Sequence, residues 1–179
     1  MSAGPGLCLS RGETLSMGSY RISDEELHAF RELIRREAGI ALGQSKRELL
    51  ISRLSRRLRH HHLGSFGEYY RLLVEHDPHL HELRQMINCI TTNKTDFFRE
   101  PHHFEFLKTR VLPELRARQK TPIHSWGAGC STGEEPYSIA MAARAVLGAC
   151  AESQVRILAS DIDTEVLAKA AEGVYSRES

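Results

Sequence analysis

The chain has 179 residues and a net charge of +1, with 41% hydrophobic and 26% charged residues. This composition is typical of a globular protein of one ordinary domain or two small ones. No apolar run approaches the roughly 20 residues that cross a bilayer, so we expect no membrane span or insertion, and the net charge gives no indication of nucleic-acid binding.

Residues 1–18 are rich in glycine and serine and lack an apolar segment, which predicts a flexible leader rather than a signal peptide. The four cysteines show no CxxC spacing, so neither a disulfide framework nor a zinc site is indicated. Neighbouring histidines at 60–62 and 102–103 point in different directions on a helix, and we predict no metal site. A reducing cytoplasm is the expected location.

Residues 19–90 predict a compact all-helical domain. Ser23 opens a capping box before apolar residues at helical spacing, and Gly39 ends that helix. A second helix is predicted over 44–62, and a second capping box at Ser65 opens a third. Asp77 and the proline after it break the third helix and start a fourth.

The pattern changes after residue 90. Residues 91–100 predict a polar linker, and residues 101–179 predict an α/β unit in which strands and helices alternate. Its expected elements are a helix from Pro101 to about Lys120, a strand over 123–126, a helix over 134–147, a strand over 155–159, and a last helix capped by Asp163 and ended by Gly173.

A strand, a glycine loop, a helix and a second strand open a βαβ unit with a parallel sheet. Because a parallel sheet is buried on both faces, two strands alone do not form a stable doubly wound sheet. We therefore expect the chain to be C-terminally incomplete.

Two strand ends carry the pattern of a nucleoside-cofactor site. Gly127 and Gly129 follow the first strand, where backbone without side chains can approach a ligand. Asp161 follows the second strand, where a carboxylate can accept both ribose hydroxyls. Spacing alone leaves a dehydrogenase loop and a plain tight turn open as alternatives.

Three long segments closely resemble the signature of the chemotaxis receptor methyltransferases: residues 91–104 (TTNKTDFFREPHHF), 129–140 (GCSTGEEPYSIA) and 159–163 (ASDID). The resemblance extends back through 53–59 (RLSRRLR) and covers about 20–175. It implies a helical bundle followed by the first part of a Rossmann-like class I methyltransferase domain. It also implies transfer of methyl groups from S-adenosylmethionine to glutamate carboxylates of methyl-accepting chemotaxis receptors.

The resemblance carries site residues with it. It implies that the cofactor is held by Asn93, Thr95, Arg99, Glu134, Asp161, Gly127 and Gly129. The motif leaves the choice between Glu134 and Glu135 open. Read without the family, Asn93 and Thr95 indicate a turn and a cap, Arg99 an exposed side chain, and the glutamates a helix first turn.

The second predicted helix is strongly basic. Leu50, Leu54 and Leu58 fall on one stripe of a helical wheel, and Lys46, Arg53, Arg56 and Arg57 fall on a neighbouring one. Like charges at these spacings are unfavourable by a few tenths of a kcal/mol each, which a solvated face leaves unexplained. The family implies that this stripe binds the acidic methylation region of a receptor. A nucleic-acid surface is the alternative.

The implied reaction is an in-line displacement at the sulfonium methyl. A glutamate carboxylate is already ionised at neutral pH, since its reference pKa is about 4.3, so no general base is required. Arg99 is the candidate for holding a carboxylate during catalysis. A non-catalytic receptor-binding or cofactor-sensing module is the second hypothesis, and a nucleic-acid methyltransferase the third.

Overall fold

The computed structural model describes residues 20–118 and 122–176, so the predicted leader at 1–18 lies outside the described residues. The N-terminal helices are α1 (Asp24–Ala38), α2 (Arg47–His60), α3 (Phe66–Glu75) and α4 (His81–Ile90), with a 3-10 turn at Gln44–Lys46. Residues 91–100, hereafter the linker, form neither helix nor strand. Beyond the linker lie α5 (Pro101–Phe106), a π-helical segment (Leu107–Val111), α6 (Leu112–Ala117), β1 (Ile123–Ala128), α7 (Glu134–Leu147), a 3-10 turn (Gly148–Cys150), α8 (Ala151–Gln154), β2 (Val155–Ser160) and α9 (Thr164–Glu172).

The capping box at the start of α1 is confirmed. Ser23 Oγ accepts the amide of Glu26 at 3.1 Å, and the Glu26 carboxylate accepts the amide of Ser23 at 2.8 Å. Gly39 ends α1 with a φ of 68°, a conformation that glycine adopts without a Cβ penalty. These local groups satisfy backbone donors and acceptors that a helix end leaves unpaired.

The predicted box at the start of α3 is only half formed. Ser65 Oγ accepts the amide of Glu68 at 3.2 Å, as expected. The Glu68 carboxylate, however, accepts the amide of Gly64 at 2.7 Å rather than that of Ser65. The reciprocal part of the prediction is therefore wrong, because the side chain pairs one residue further back.

The four N-terminal helices enclose one hydrophobic core. The apolar stripe of α2 faces this core, and Leu50, Leu54 and Leu58 are fully buried. Phe30 stands edge-on to Phe66, with ring centroids 6.0 Å apart. Aromatic pairs prefer this edge-to-face arrangement, which adds to the stabilisation from buried area.

The predicted helix from Pro101 widens at its centre into the π-helical segment. Pro113 has no amide hydrogen to donate to the carbonyl of residue 109, and its ring crowds that carbonyl. A π-helical turn relieves this conflict without ending the helix. The predicted end near Lys120 lies outside the described residues.

The α/β unit contains a parallel pair of strands. β1 and β2 pair from Ile123 opposite Val155 to Ala128 opposite Ser160. Both strands run past their predicted ends, because Gly127 pairs with Ala159 and Ala128 pairs with Ser160. Gly127 therefore lies in β1 and not after it. One face of the pair is open, and there Trp126 and its neighbour Leu158 are 69% and 63% exposed.

α9 begins as predicted, with Asp163 as its N-cap. The Asp163 carboxylate accepts the amides of Glu165 and Val166, and Gly173 ends the helix in the left-handed region. Within residues 20–118 and 122–176, no helix has the length and apolar character needed to cross a membrane.

Candidate functional site

A cavity of about 470 Å³ lies where the linker passes between the helical domain and the ends of the two strands. Its volume is within the range of small-molecule sites. Both domains and the linker contribute to its wall, which is formed by Ile40, Leu42, Lys46, Leu49, Ile90, Thr91, Thr92, Asn93, Lys94, Thr95, Asp96, Arg99, Phe104, Gly129, Ser131, Glu135, Asp161 and Ile162.

Asp161 stands on the cavity wall directly after β2. Its Oδ2 accepts the amide of Ser131 at 2.7 Å, and its Oδ1 accepts the amide of Asp163 at 2.9 Å. A carboxylate offers about four acceptor sites, so about two remain for a ligand. The two backbone bonds fix the direction of the carboxylate before any ligand arrives.

The glycine loop is tied to the same strand end. The amides of Gly129 and Cys130 both donate to the carbonyl of Ser160, at 2.8 and 2.9 Å. Gly129 has a φ of 83°, and a Cβ built on it would meet nothing within 4 Å. The loop therefore presents open space at Gly129. Gly127 does not line the cavity, but a Cβ there would contact the Glu135 carboxylate at 3.7 Å.

The two glutamates at the start of α7 have different surroundings. Glu134 is buried, and its carboxylate accepts a hydrogen bond from the Thr132 hydroxyl at 2.6 Å. Neither residue lines the cavity. Glu135 is exposed and lines the cavity. Successive residues of a helix point about 100° apart, which accounts for the difference. The geometry favours Glu135 as the ligand contact.

The linker places its three predicted residues in the cavity wall. Asn93 Nδ2 donates to the Asp163 carboxylate at 2.6 Å, and its carbonyl accepts the hydroxyl of Ser131 at 3.0 Å. Thr95 lines the cavity. One Arg99 nitrogen donates to the carbonyl of Lys94 at 2.9 Å, and the side chain remains exposed.

Three non-glycine residues of the linker and the glycine loop adopt left-handed backbone conformations. Phe98, Glu100 and Ser131 all have φ between 50° and 58°, a region that non-glycine residues rarely adopt. The amide of Phe98 donates to the buried hydroxyl of Ser138 at 2.9 Å, which anchors the linker to α7. Such conformations persist only where surrounding contacts fix them.

The cavity wall carries both charges. Three acids (Asp96, Glu135, Asp161) and three bases (Lys46, Lys94, Arg99) line it. Burial, together with the Asp161 and Glu135 carboxylates, raises the pKa of the nearby Cys130 thiol, which therefore stays neutral. The described residues contain no group of three or more side chains suited to a metal ion.

The four predicted receptor-binding residues, which are Lys46 in the 3-10 turn before α2 and three arginines of α2, fall into two groups. Lys46 and Arg56 are exposed, and Lys46 also lines the cavity. Arg53 and Arg57 are half-buried and have internal partners. Arg57 donates two hydrogen bonds to the buried Glu82, one of them from Nε at 2.8 Å.

Ser131 joins the linker to Asp161 and is missing from the set of residues predicted from sequence. The sequence did indicate its neighbourhood, because Ser131 lies between two glycines of the motif at 129–140. Its φ of 50° and its two hydrogen bonds, however, depend on partners 30 and 38 residues away.

Two family models match the chain. The all-alpha domain of CheR methyltransferase matches residues 25–91, and the SAM binding domain of CheR methyltransferase matches residues 93–179. Together they cover nearly all of the described residues.

Curated relatives match over most of the chain. Chemotaxis protein methyltransferase 2 of Pseudomonas aeruginosa is 45% identical over 89% of this chain and 55% of its own length. The chemotaxis protein methyltransferase of Escherichia coli is 45% identical over 88% of this chain and 52% of its own. That of Klebsiella aerogenes is 44% identical over 93% and 56%. The chain thus spans about half the length of the curated relatives it matches.

Proposed function

The chain belongs to the CheR methyltransferase family. We therefore propose that it binds S-adenosylmethionine and takes part in transferring the methyl group to glutamate carboxylates of chemotaxis receptors. The cavity between the linker and the strand ends is the observation that carries this proposal. It combines a fixed carboxylate, a glycine with open space and cationic side chains, which together suit a nucleoside with a zwitterionic amino-acid tail.

The chain's own residues fit that ligand. Asp161 retains acceptor sites for two ribose hydroxyls after its two backbone bonds. Gly129 leaves room for the amino-acid part, since no Cβ projects there. Glu135 offers a negative charge to the ligand's positive groups, and Arg99 offers a bidentate donor to a carboxylate.

S-adenosylmethionine supplies a methyl group made electrophilic by the sulfonium that carries it. A receptor glutamate is ionised at neutral pH, so the protein needs to align the two reactants and exclude water. We assign that alignment to the part of the cavity wall around Arg99. Cys130 does not line the cavity, and burial raises the pKa of its thiol, so neither its position nor its charge suits a nucleophile here.

Receptor docking on the exposed face of α2 and of the 3-10 turn before it is the second part of the proposal. Lys46 and Arg56 are available there, and Lys46 also reaches the cavity wall. An acidic receptor segment bound along α2 would thus bring its glutamates to the cavity entrance. The internal partners of Arg53 and Arg57 leave the same two exposed cations to a nucleic-acid surface, so it is the family match that favours the receptor.

Calorimetric titration with S-adenosylmethionine, and with S-adenosylhomocysteine as product control, tests the cofactor site. We expect Glu135→Gln to weaken binding about tenfold, because it removes one charge-assisted contact. Glu134→Gln is the matched control and should leave affinity unchanged, since its carboxylate points away from the cavity. Equal effects of the two variants would contradict the assignment.

Arg99→Ala tests the catalytic assignment. We expect it to lower cofactor affinity or the rate of methyl transfer by about one to two orders of magnitude. The reason is that the carboxylate of the cofactor or of the receptor glutamate would lose a charged hydrogen-bond donor. If both stay intact, Arg99 has no such role.

Methyl transfer from radiolabelled cofactor to a purified receptor domain separates catalysis from binding alone. We expect Arg56→Glu to weaken receptor binding about tenfold without changing cofactor affinity, because it reverses an exposed charge on the docking face. Arg71→Glu, on the exposed side of α3, is the control. Receptor binding without any methyl transfer would favour the non-catalytic module.

A further inference from the structure

Arg53 is bonded to the end of the helical domain rather than to solvent. One of its terminal nitrogens donates to the carbonyl of Ile90 at 2.6 Å and also to that of Thr91. The other donates to the hydroxyl of Thr92 at 3.1 Å. The guanidinium thus gathers three successive residues at the point where α4 becomes the linker.

The Ile90 carbonyl is one of those that a helix leaves unpaired at its C-terminus, and the Thr91 carbonyl follows it at the C-cap of α4. A cation there is favourable because the carbonyl ends carry partial negative charge. An arginine holds several acceptors at once in a fixed plane, which a lysine cannot do. Arg53 therefore sets the direction in which the chain leaves α4.

The same three residues begin the wall of the cavity. The Thr91 hydroxyl shares its single hydrogen between the Asp163 carboxylate at 2.8 Å and the Asn88 carbonyl at 2.9 Å, and Asn93 Nδ2 donates to the same carboxylate at 2.6 Å. The Asp163 amide in turn donates to Asp161. A continuous set of hydrogen bonds therefore runs from the basic helix to the carboxylate that faces the cavity.

We propose that Arg53 is a positioning residue for the cofactor site, holding the linker against the strand ends, rather than a receptor contact. The proposal rests on the proposed function, since the linker matters as part of that site. Arg56 provides the contrast within the same helix: it is exposed, and its only partner among the described residues is the sulfur of Cys89 at 3.9 Å.

Amide hydrogen exchange of the ligand-free chain tests this directly. The probes are the amides of Phe98, Arg99, Ser131 and Asp163, which are hydrogen-bonded to α7, within the linker, or to Asp161 on the cavity wall. We expect Arg53→Ala to raise their exchange rates about tenfold while amides in the centres of α1 and α3 stay unchanged. Arg53→Lys should fall between wild type and Arg53→Ala, and Arg56→Ala should match wild type.

Cofactor affinity is the second readout. We expect Arg53→Ala to weaken binding about tenfold with no receptor present, and Arg53→Lys to restore part of it. Unchanged exchange at the four probes would overturn the inference, as would a uniform rise across the whole chain, which marks a general loss of stability. Failure of the wild-type chain to bind cofactor would count against the proposed function instead, because the exchange measurement needs no ligand.

Discussion

Glu82 is a buried acid with three partners. Its relative exposure is 8%, and its carboxylate accepts from Arg57, from the Tyr69 hydroxyl at 2.7 Å and from His61 Nε2 at 2.8 Å. Burial acts to raise the pKa of Glu82, but the hydrogen bonds from these three side chains outweigh it and hold the pKa below its usual value. Burial and the same carboxylate raise the pKa of Tyr69.

The lowered pKa makes this cluster a source of acid sensitivity. We expect Glu82→Gln to reduce the free energy of unfolding by about 3 kcal/mol at pH 7, because the Arg57 charge is left without its partner. The native pKa lies below the unfolded one, so the stabilisation is complete above about pH 4.3 and is lost as pH falls through the native pKa. The difference in the free energy of unfolding between Glu82→Gln and wild type should therefore become smaller at acidic pH.

Urea unfolding followed by circular dichroism at several pH values measures this difference. Glu75→Gln is the control, because that carboxylate is largely exposed, and its effect should stay within about 0.5 kcal/mol throughout. A pH-independent loss in Glu82→Gln would show that the carboxylate charge is not what stabilises the cluster.

Between elements, Gly133 is the point where α7, α9 and the residues after α9 meet. Its φ is 102°, and a Cβ built there would lie 2.5 Å from the Tyr175 hydroxyl and 3.0 Å from the Ala170 side chain. The Tyr175 hydroxyl donates to the carbonyl of Thr132 at 2.7 Å, so it cannot move aside without losing that bond.

We expect Gly133→Ala to reduce the free energy of unfolding by about 3 kcal/mol, combining backbone strain with overpacking. Gly39→Ala is the matched control, because its φ of 68° carries the conformational cost while nothing lies within 4 Å, and it should cost about 1 kcal/mol. Thermal unfolding of both variants checks the difference. Equal losses would mean that the contact with Tyr175 relaxes freely.

The boundaries that sequence predicted well depend on neighbouring residues. The bounds of α7 and both ends of α1 follow from caps, acids in the first turn and glycines, all of which act within one helical turn. The predicted strands are shorter than the observed ones, because the pairing that extends them, such as Gly127 with Ala159, joins residues far apart in sequence.

The candidate site shows the same division. Sequence motifs selected Asp161, Gly129 and the linker, which the structure brings to one cavity. A helical wheel placed Arg53 and Arg57 on the basic stripe, but it could not find their partners, which lie 25 to 39 residues away. The choice between two adjacent glutamates likewise required the start of α7 to be oriented in space.

For the whole molecule, the two domains differ in how completely they are covered. The helical domain buries aromatic and aliphatic side chains from all four of its helices. The strand pair is packed on one side, where the cluster around Leu112 and Ala143 is small, and open on the other. Parallel sheets are normally covered on both faces, whereas this pair exposes Trp126 and Leu158.

Trp126 lies on that open face and is the only tryptophan in the sequence. Its indole nitrogen donates to the Ser160 hydroxyl at 3.0 Å, and the Ser160 carbonyl accepts the two glycine-loop amides. The fluorescence of a water-exposed indole is red-shifted and easily quenched. The emission of this chain therefore reports, without any label, both on the covering of the sheet and on movement of the loop beside it.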